Sequence, residues 1–173
     1  LRNAVFLKEG EVYREIDRIR TYRQINNLNT FRYPNIELVE QGKDLLTTNI
    51  YLSARPRNSL SLDLDVIHSN IQRIGIGVGA ALITRNVFGG AEMLSLNGRA
   101  TFGLLSDRSL PEDFFTEISA DINLIFPRIW MFSFVNAERI IPSYMLPQSR
   151  ISVGTTFQKN IGLDKQTLNS LLS

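Results

Sequence analysis

From Pro56 onward the chain alternates apolar and polar or small residues with a period of two. Leu60, Leu62, Leu64 and Val66 interleave with Ser59, Ser61, Asp63 and Asp65. Ile74, Ile76, Val78, Ala80 and Leu82 interleave with Gly75, Gly77, Gly79 and Ala81. The same grammar runs through Leu94–Leu104, Ile118–Phe126 and Ile151–Phe157, so five strands are predicted. They are joined at Asn86–Gly90, at Ser106–Asp113 and through a longer stretch from Pro127 to Gln148. Thr167–Leu172 carries a short helical period instead.

The first third reads differently. Val12, Ile16, Ile19, Ile25 and Leu28 recur at three- and four-residue spacing, the helical period, and Thr21 is placed to cap a second short helix. Pro34 stops helical propagation. Two alternating stretches follow, Asn35–Glu40 and Leu45–Ala54, with Gln41-Gly42-Lys43-Asp44 as the hairpin turn between them. Leu46, Thr48, Ile50 and Leu52 fall on one face of the second. The expected order is helix, helix, strand, turn, strand.

Composition narrows the chemistry. Of the 173 residues none is cysteine, which excludes disulfides, thiol nucleophiles and thiolate-bound metals. One histidine, His68, excludes a multi-histidine metal centre. A net charge of +2 leaves nucleic-acid binding without an electrostatic footprint. No apolar run approaches the ~18 residues of a spanning helix, but that does not bear on a β-barrel. Soluble strands average about 5–6 residues, whereas these match the ~9–11 that a tilted strand needs to cross a bilayer. Their second face is small or polar, as a hydrated lumen requires. A membrane barrel needs about 8 strands at least, and hydrocarbon tolerates no open sheet edge. The expectation is therefore a piece of a longer polypeptide, or a chain whose edges pair with another.

Sharper readings of single residues do not hold up. His68-Ser69-Asn70 contains the residue types of a serine hydrolase, but three consecutive residues point in different directions and cannot converge. Gly75-x-Gly77-x-Gly79 lies inside a strand, not at the strand-to-helix turn that cradles phosphate. Asp63/Asp65 and Glu117/Asp121 share strand faces without a pocket to perturb them. Arg14, Arg18, Arg20 and Arg23 read as a solvated helix face, or as a contact for anionic headgroups. No enzymatic activity, metal or cofactor is expected.

Several segments together resemble the BamA/TamA-like superfamily of outer-membrane assembly proteins, in particular its TamA-like branch in Bacteroidota-type bacteria. They are Gly10-Glu-Val-Tyr with Thr21-x-x-x-Ile25-x-x-Leu28-x-x-Phe31, then Ile36-x-Leu38, Gly75-Ile-Gly-Val-Gly79, Leu94-x-Leu96-x-Gly98, Asp121-x-Asn123-x-x-Phe126-Pro127 and Arg150-Ile-Ser-Val-Gly154. The most specific piece is the turn Arg85-Asn86-Val87-Phe88-Gly89-Gly90-Ala91-Glu92. The family's late barrel-sealing motif is absent, and Lys159-Asn160 stand where an arginine is common.

The resemblance implies a mainly β fold. Residues 1–57 would be an incomplete C-terminal POTRA domain (α+β), and residues 58–173 the first antiparallel strands of a 16-stranded transmembrane β-barrel. It implies a factor that inserts or exports β-rich clients by strand-edge templating at a lateral gate. The gate strand would comprise Ser59, Leu60, Ser61, Leu62, Asp63, Leu64, Asp65, Val66 and Ile67. Arg85, Asn86, Phe88, Gly89, Gly90 and Glu92 would form the family turn. The POTRA edge carrying Leu46, Thr48, Ile50 and Leu52 would hold extended clients by β-augmentation. Implied partners are outer-membrane lipid, unfolded outer-membrane proteins and accessory assembly subunits, with no nucleic acid and no cofactor. The location implied is the bacterial outer membrane with the N-terminal part periplasmic. A passive barrel channel and a soluble β-rich binding module remain as alternatives.

Overall fold

The computed structural model describes residues 4–42, 44–68, 72–105, 114–127, 145–160 and 163–173. The fold is mainly β, with antiparallel pairing and one helix among the described residues. Two compact units separate: Leu1–Arg57 with Arg85–Glu92 and Phe126–Ser149, and Asn58–Thr84 with Met93–Ile125 and Arg150–Ser173.

In the first unit α1 spans Glu15–Asn27. Glu15 and Asp17 place negative charge in its first turn, where exposed N–H groups favour it. Asp17 accepts from Arg14 Nε at 2.8 Å and Arg20 Nη1 at 3.4 Å, and Arg18 pairs with Glu15. The expected break at Thr21 does not occur. Its hydroxyl donates to the Asp17 carbonyl at 2.7 Å and accepts from Phe6 N at 3.0 Å, so it ties a neighbouring segment to a continuous helix. The helix ends where Asn29 adopts φ +52°, the left-handed conformation that closes helix C-termini. Asp17, Thr21, Gln24 and Ile25 are its buried positions, while Val12 precedes it, 88% exposed.

β1 (Phe31–Gln41) pairs antiparallel with β2 (Leu45–Ala54) to form a two-stranded sheet. β1 starts four residues before the expected Asn35. The strand passes Pro34, which donates no hydrogen bond, through a register shift between Arg32 and Asn35 with Tyr33 at φ +48°. Gly42 turns the chain at φ +78°; Lys43 lies outside the described residues. α1 packs on β1, whose buried residues are Pro34 and Ile36.

The second unit holds a six-stranded sheet in the order β3-β4-β5-β6-β7-β8. Its strands are β3 (Asn58–Ile67), β4 (Gln72–Arg85), β5 (Met93–Leu105), β6 (Phe114–Phe126), β7 (Ser149–Asn160) and β8 (Leu163–Leu172). The first five contain the expected strands. β8 corrects the helical reading of Thr167–Leu172: this segment pairs with β7 from Asn160↔Leu163 to Ile151↔Leu172. A few residues of helical spacing are weak against a complete ladder that satisfies the backbone.

Pairing fixes the faces. Leu60↔Leu82, Leu62↔Ala80, Leu64↔Val78 and Val66↔Ile76 lie on one side, and Ser61↔Ala81, Asp63↔Gly79 and Asp65↔Gly77 on the other. In β5 and β6, Leu94↔Leu124, Leu96↔Ile122 and Ala100↔Ile118 share a face, opposite Ser95↔Asn123, Asn97↔Asp121 and Arg99↔Ser119. The burial runs opposite to that of a water-soluble sheet. Leu62, Leu64 and Val66 are each 75% exposed, and Ile74, Ile76, Phe102, Ile118 and Ile122 are about half exposed. Gly75, Gly77 and Gly79 on the polar side are buried, and Thr101 is 7% exposed. A contiguous exposed apolar face is the informative departure from the soluble norm.

Candidate functional site

Three features of these units can do chemistry or recognition. The first is β3, which carries all of the expected gate residues, Ser59 to Ile67. Among the described residues it pairs on one side only, with β4, and so stands at an edge of the sheet. An edge strand presents backbone N–H and C=O groups that another extended segment can use. Its side chains sort cleanly: Leu60, Leu62, Leu64 and Val66 on the exposed apolar face, Ser59, Ser61, Asp63, Asp65 and Ile67 on the other.

The polar face is organised by an ion pair that periodicity did not reveal. Asp65 on β3 lies opposite Gly77 on β4, and Arg99 on β5 reaches across that middle strand to pair with Asp65. Strands two apart are separated by about 9.5 Å, so the guanidinium must lie over the strand between them. Gly77 makes that passage possible: a Cβ there would sit 3.1 Å from Arg99 Nη2 and 3.4 Å from Asp65 Oδ2. Gly77 is thus the bed of a charged side chain. Next to it, Asp121 accepts from Asn97 Nδ2 and Asn123 Nδ2, each at 2.6 Å. The two acid pairs considered for catalysis are therefore not equivalent groups awaiting a substrate: Asp65 has a cation and Asp121 has two amides.

The second feature is the turn from Arg85 to Glu92, where nearly every motif residue has a structural task. The Glu92 carboxylate, 1% exposed, accepts from Phe88 N at 3.2 Å and Gly90 N at 2.9 Å. Its backbone carbonyl accepts from Asn86 N at 2.6 Å, and Asn86 Oδ1 accepts from Ala91 N at 3.0 Å. Positive φ values at Asn86 (+56°), Gly89 (+92°) and Ala91 (+66°) bend the chain tightly enough for these bonds. A methyl group at Gly90 would overlap Glu92 Oε1 and lie 3.1 Å from its Cδ, so a larger residue there would displace the carboxylate. Arg85 Nη1 donates to the Pro56 carbonyl at 3.1 Å, and Arg85 N to the Arg57 carbonyl at 2.7 Å. Phe88 is 70% exposed and takes no part in the closure through its ring.

The third feature is an open cavity of about 400 Å³ in the first unit, lined by Thr30, Arg55, Arg57, Arg85, Asn86, Val87 and Gly89. Sequence reasoning missed it because its residues come from segments about thirty positions apart. The arginines at 55 and 57 flank Pro56, a signal visible only once the Arg85 turn is known to meet them.

Of Leu46, Thr48, Ile50 and Leu52 on β2, Leu46 is 44% exposed and the other three are half-buried. Ile50 is opposite Ile36 and Thr48 opposite Leu38, so Ile50 and Thr48 share the face on which Ile36 is buried. β-augmentation there would use the backbone edge of β2. His68 is exposed; Ser69 and Asn70 lie outside the described residues, as do Ser106–Asp113 and most of Pro127–Gln148. Among the described residues no three His, Asp or Glu side chains gather as metal ligands, and no helix is long and apolar enough to cross a membrane. No protein-family model matches the chain, and no curated protein matches it.

Proposed function

We propose that this chain is the junction between a POTRA domain and the first strands of a transmembrane barrel in an outer-membrane assembly factor of the BamA/TamA type. The observation that carries the proposal is the reversal of faces in the six-stranded sheet: apolar side chains are exposed, the β4 glycines and Thr101 on the other face are buried, and β3 stands at an edge. Apolar surface of this extent is favourable only where hydrocarbon replaces water. Strand length agrees. Thirteen residues in β5 or β6 span about 43 Å, which at a tilt of about 45° covers the ~30 Å hydrocarbon core.

In this reading, unfolded outer-membrane proteins enter in extended form and pair with the backbone of β3. The pairing is indifferent to client side chains, so one edge serves many sequences. Burial of the client's own apolar face in lipid draws it away from the template, so the step is non-enzymatic and needs no cofactor. The helix–hairpin of the first unit acts as the periplasmic receiver, alone or with accessory subunits. That unit separates the assembly reading from a passive channel, which has no use for it.

These 173 residues contain no cysteine, so a single cysteine can be placed at a chosen strand position among them. In the intact protein in its native envelope, Ser61→Cys on β3 is expected to crosslink to a cysteine in the terminal strand of a folding client, while Asn97→Cys on β5 is not. Equal crosslinking at both positions, or none at Ser61, would refute templating at this edge.

A further inference from the structure

A backbone ladder is blind to sequence, so pairing at the β3 edge leaves open where along the strand a client comes to rest. Alternation narrows the choice. A client strand with one apolar face must keep that face with Leu60, Leu62, Leu64 and Val66, because a slip of one residue turns every side chain over. Allowed registers are therefore two residues apart, and the polar-face positions Ser59, Ser61, Asp63 and Asp65 have to tell them apart. Ser59 and Ser61 are uncharged. Asp65 is engaged by Arg99, which reaches it over Gly77. Asp63 is exposed and faces Gly79 across the ladder; a Cβ there would lie 3.5 Å from the Asp63 Cβ and 3.6 Å from its Oδ2. Among the described residues the cations pair elsewhere, Arg99 with Asp65 and the arginines of α1 within the first unit. Asp63 thus marks one position of the polar face with an exposed negative charge.

We propose that Asp63 sets the register of a client on β3 by pairing with a lysine or arginine on the client's polar face. The preferred partner is then an extended segment that alternates apolar with polar residues, one of the polar residues being basic. This rests on the templating reading of β3 and adds to it the side chain that chooses the register. The ladders β3–β4, β5–β6 and β7–β8 are antiparallel. The same geometry carried outward puts a client strand about 4.8 Å beyond β3, with the opposing Cβ about 4.5–5.5 Å from that of Asp63. A lysine or arginine at that separation meets the carboxylate while its backbone stays extended. Opposite charges directly across such a pair favour the register about twofold to fivefold over an uncharged residue in the same place. That is small enough for many sequences to bind and large enough to prefer one register. A basic residue moved along by two meets the Ser61 hydroxyl, or at Asp65 a carboxylate already shared with Arg99.

For the test, the intact protein carrying Ser61→Cys in maltoside micelles is offered synthetic peptides of ten residues, the length of β3. They alternate leucine and threonine and carry one cysteine in place of a threonine. In an antiparallel pair, a peptide cysteine opposite position 61 puts the residue two before it opposite Asp63 and the residue two after it opposite Ser59. Disulfide yield is read by mass spectrometry at low ionic strength, where charge pairing is least screened. Lysine two residues before the cysteine is expected to exceed glutamine there by about twofold to fivefold, and glutamate to fall below glutamine. Lysine two residues after the cysteine should give no gain. Asp63→Asn should abolish the lysine advantage while the glutamine peptide still crosslinks, and Asp63→Lys should transfer the advantage to glutamate. Equal yields for all peptides, a lysine advantage at the later position or at both, or an advantage that survives Asp63→Asn would overturn the proposal. Crosslinking of the glutamine peptide at Ser61→Cys and not at Asn97→Cys keeps the templating reading intact whatever becomes of Asp63. Failure of every peptide at position 61 would sink the templating reading and this inference with it.

Discussion

The Glu92 carboxylate offers the sharpest quantitative test of how the Arg85–Glu92 turn is held. Glu92→Ala removes two hydrogen bonds from backbone donors to a buried carboxylate, at 3.2 Å from Phe88 N and 2.9 Å from Gly90 N. Bonds to a charged group contribute about 1.5–3 kcal/mol each when the donor is left dry. Phe88 and Gly90 are exposed, so water recovers much of that loss. About 2 kcal/mol for the pair is the resulting expectation, roughly thirtyfold in the folding equilibrium. The backbone bond from Asn86 N to the Glu92 carbonyl survives the substitution, which keeps the effect from growing further. Glu92→Gln keeps an acceptor oxygen of the same reach and loses only the charge assistance, so about half the effect is expected. Gly90→Ala should act in the same direction by displacing the carboxylate, and the double variant Gly90→Ala/Glu92→Ala should be less than additive. Urea titration of the full chain in detergent, followed by circular dichroism, reads the stability; limited proteolysis within residues 86–91 reads the turn. Glu92→Ala within about 0.5 kcal/mol of the parent, or Gln as damaging as Ala, would refute the account.

Other consequences are equally open to measurement. Leu64→Arg, on the exposed apolar face, should cost about 2–4 kcal/mol for folding into phosphatidylcholine vesicles, while Ser61→Arg on the opposite face should cost far less; equal effects would remove the membrane reading. Asp65→Asn and Arg99→Gln should each cost under about 1 kcal/mol, because both side chains keep over 40% exposure, and should not be additive; additive losses would mean the pair across Gly77 does not form. Hydrogen bonds from Arg18 and Tyr13 hold the Glu15 carboxyl at about 2, below its ordinary 4.5. A depressed carboxyl favours the folded state above its ordinary value, and that preference fades as pH falls toward 2. Arg18→Ala should return the Glu15 titration toward 4.5 by NMR, and a midpoint still near 2 would sink the assignment.

Which parts of the fold were legible in the sequence follows from how local each feature is. β2 was readable to its ends, Leu45–Ala54, because alternation and the flanking Gly42 are properties of neighbouring residues. The strand carrying Leu60 to Val66 was readable to within one residue, expected over Ser59–Ile67 and found over Asn58–Ile67. Thr21 misled because a hydroxyl accepts a hydrogen bond equally well as a cap or as a tether; its tether, Phe6 N, lies fifteen residues away. Pro34 misled because a bulge can carry a proline through a strand once a partner strand absorbs the shift. Leu163–Leu172 became β8 for the same kind of reason, since the ladder to β7 outweighs a short local period. Within the candidate site, the Arg85–Glu92 motif could be seen but not explained, and the arginine cavity could not be seen at all.

The sequence by itself determined the spacing: a two-residue period over long strands, a helical period before them, and a turn motif most of whose residues prove to have work in its closure. Spacing says which side chains share a face, because the pleat of a strand is local. Only the tertiary structure decided what each face meets. It put Leu62, Leu64 and Val66 on the exposed side, drew Arg99 across Gly77 to Asp65, and brought Arg85 to Arg55 and Arg57. The reason is physical: burial and charge pairing depend on residues distant in the chain, and no local period encodes their distance.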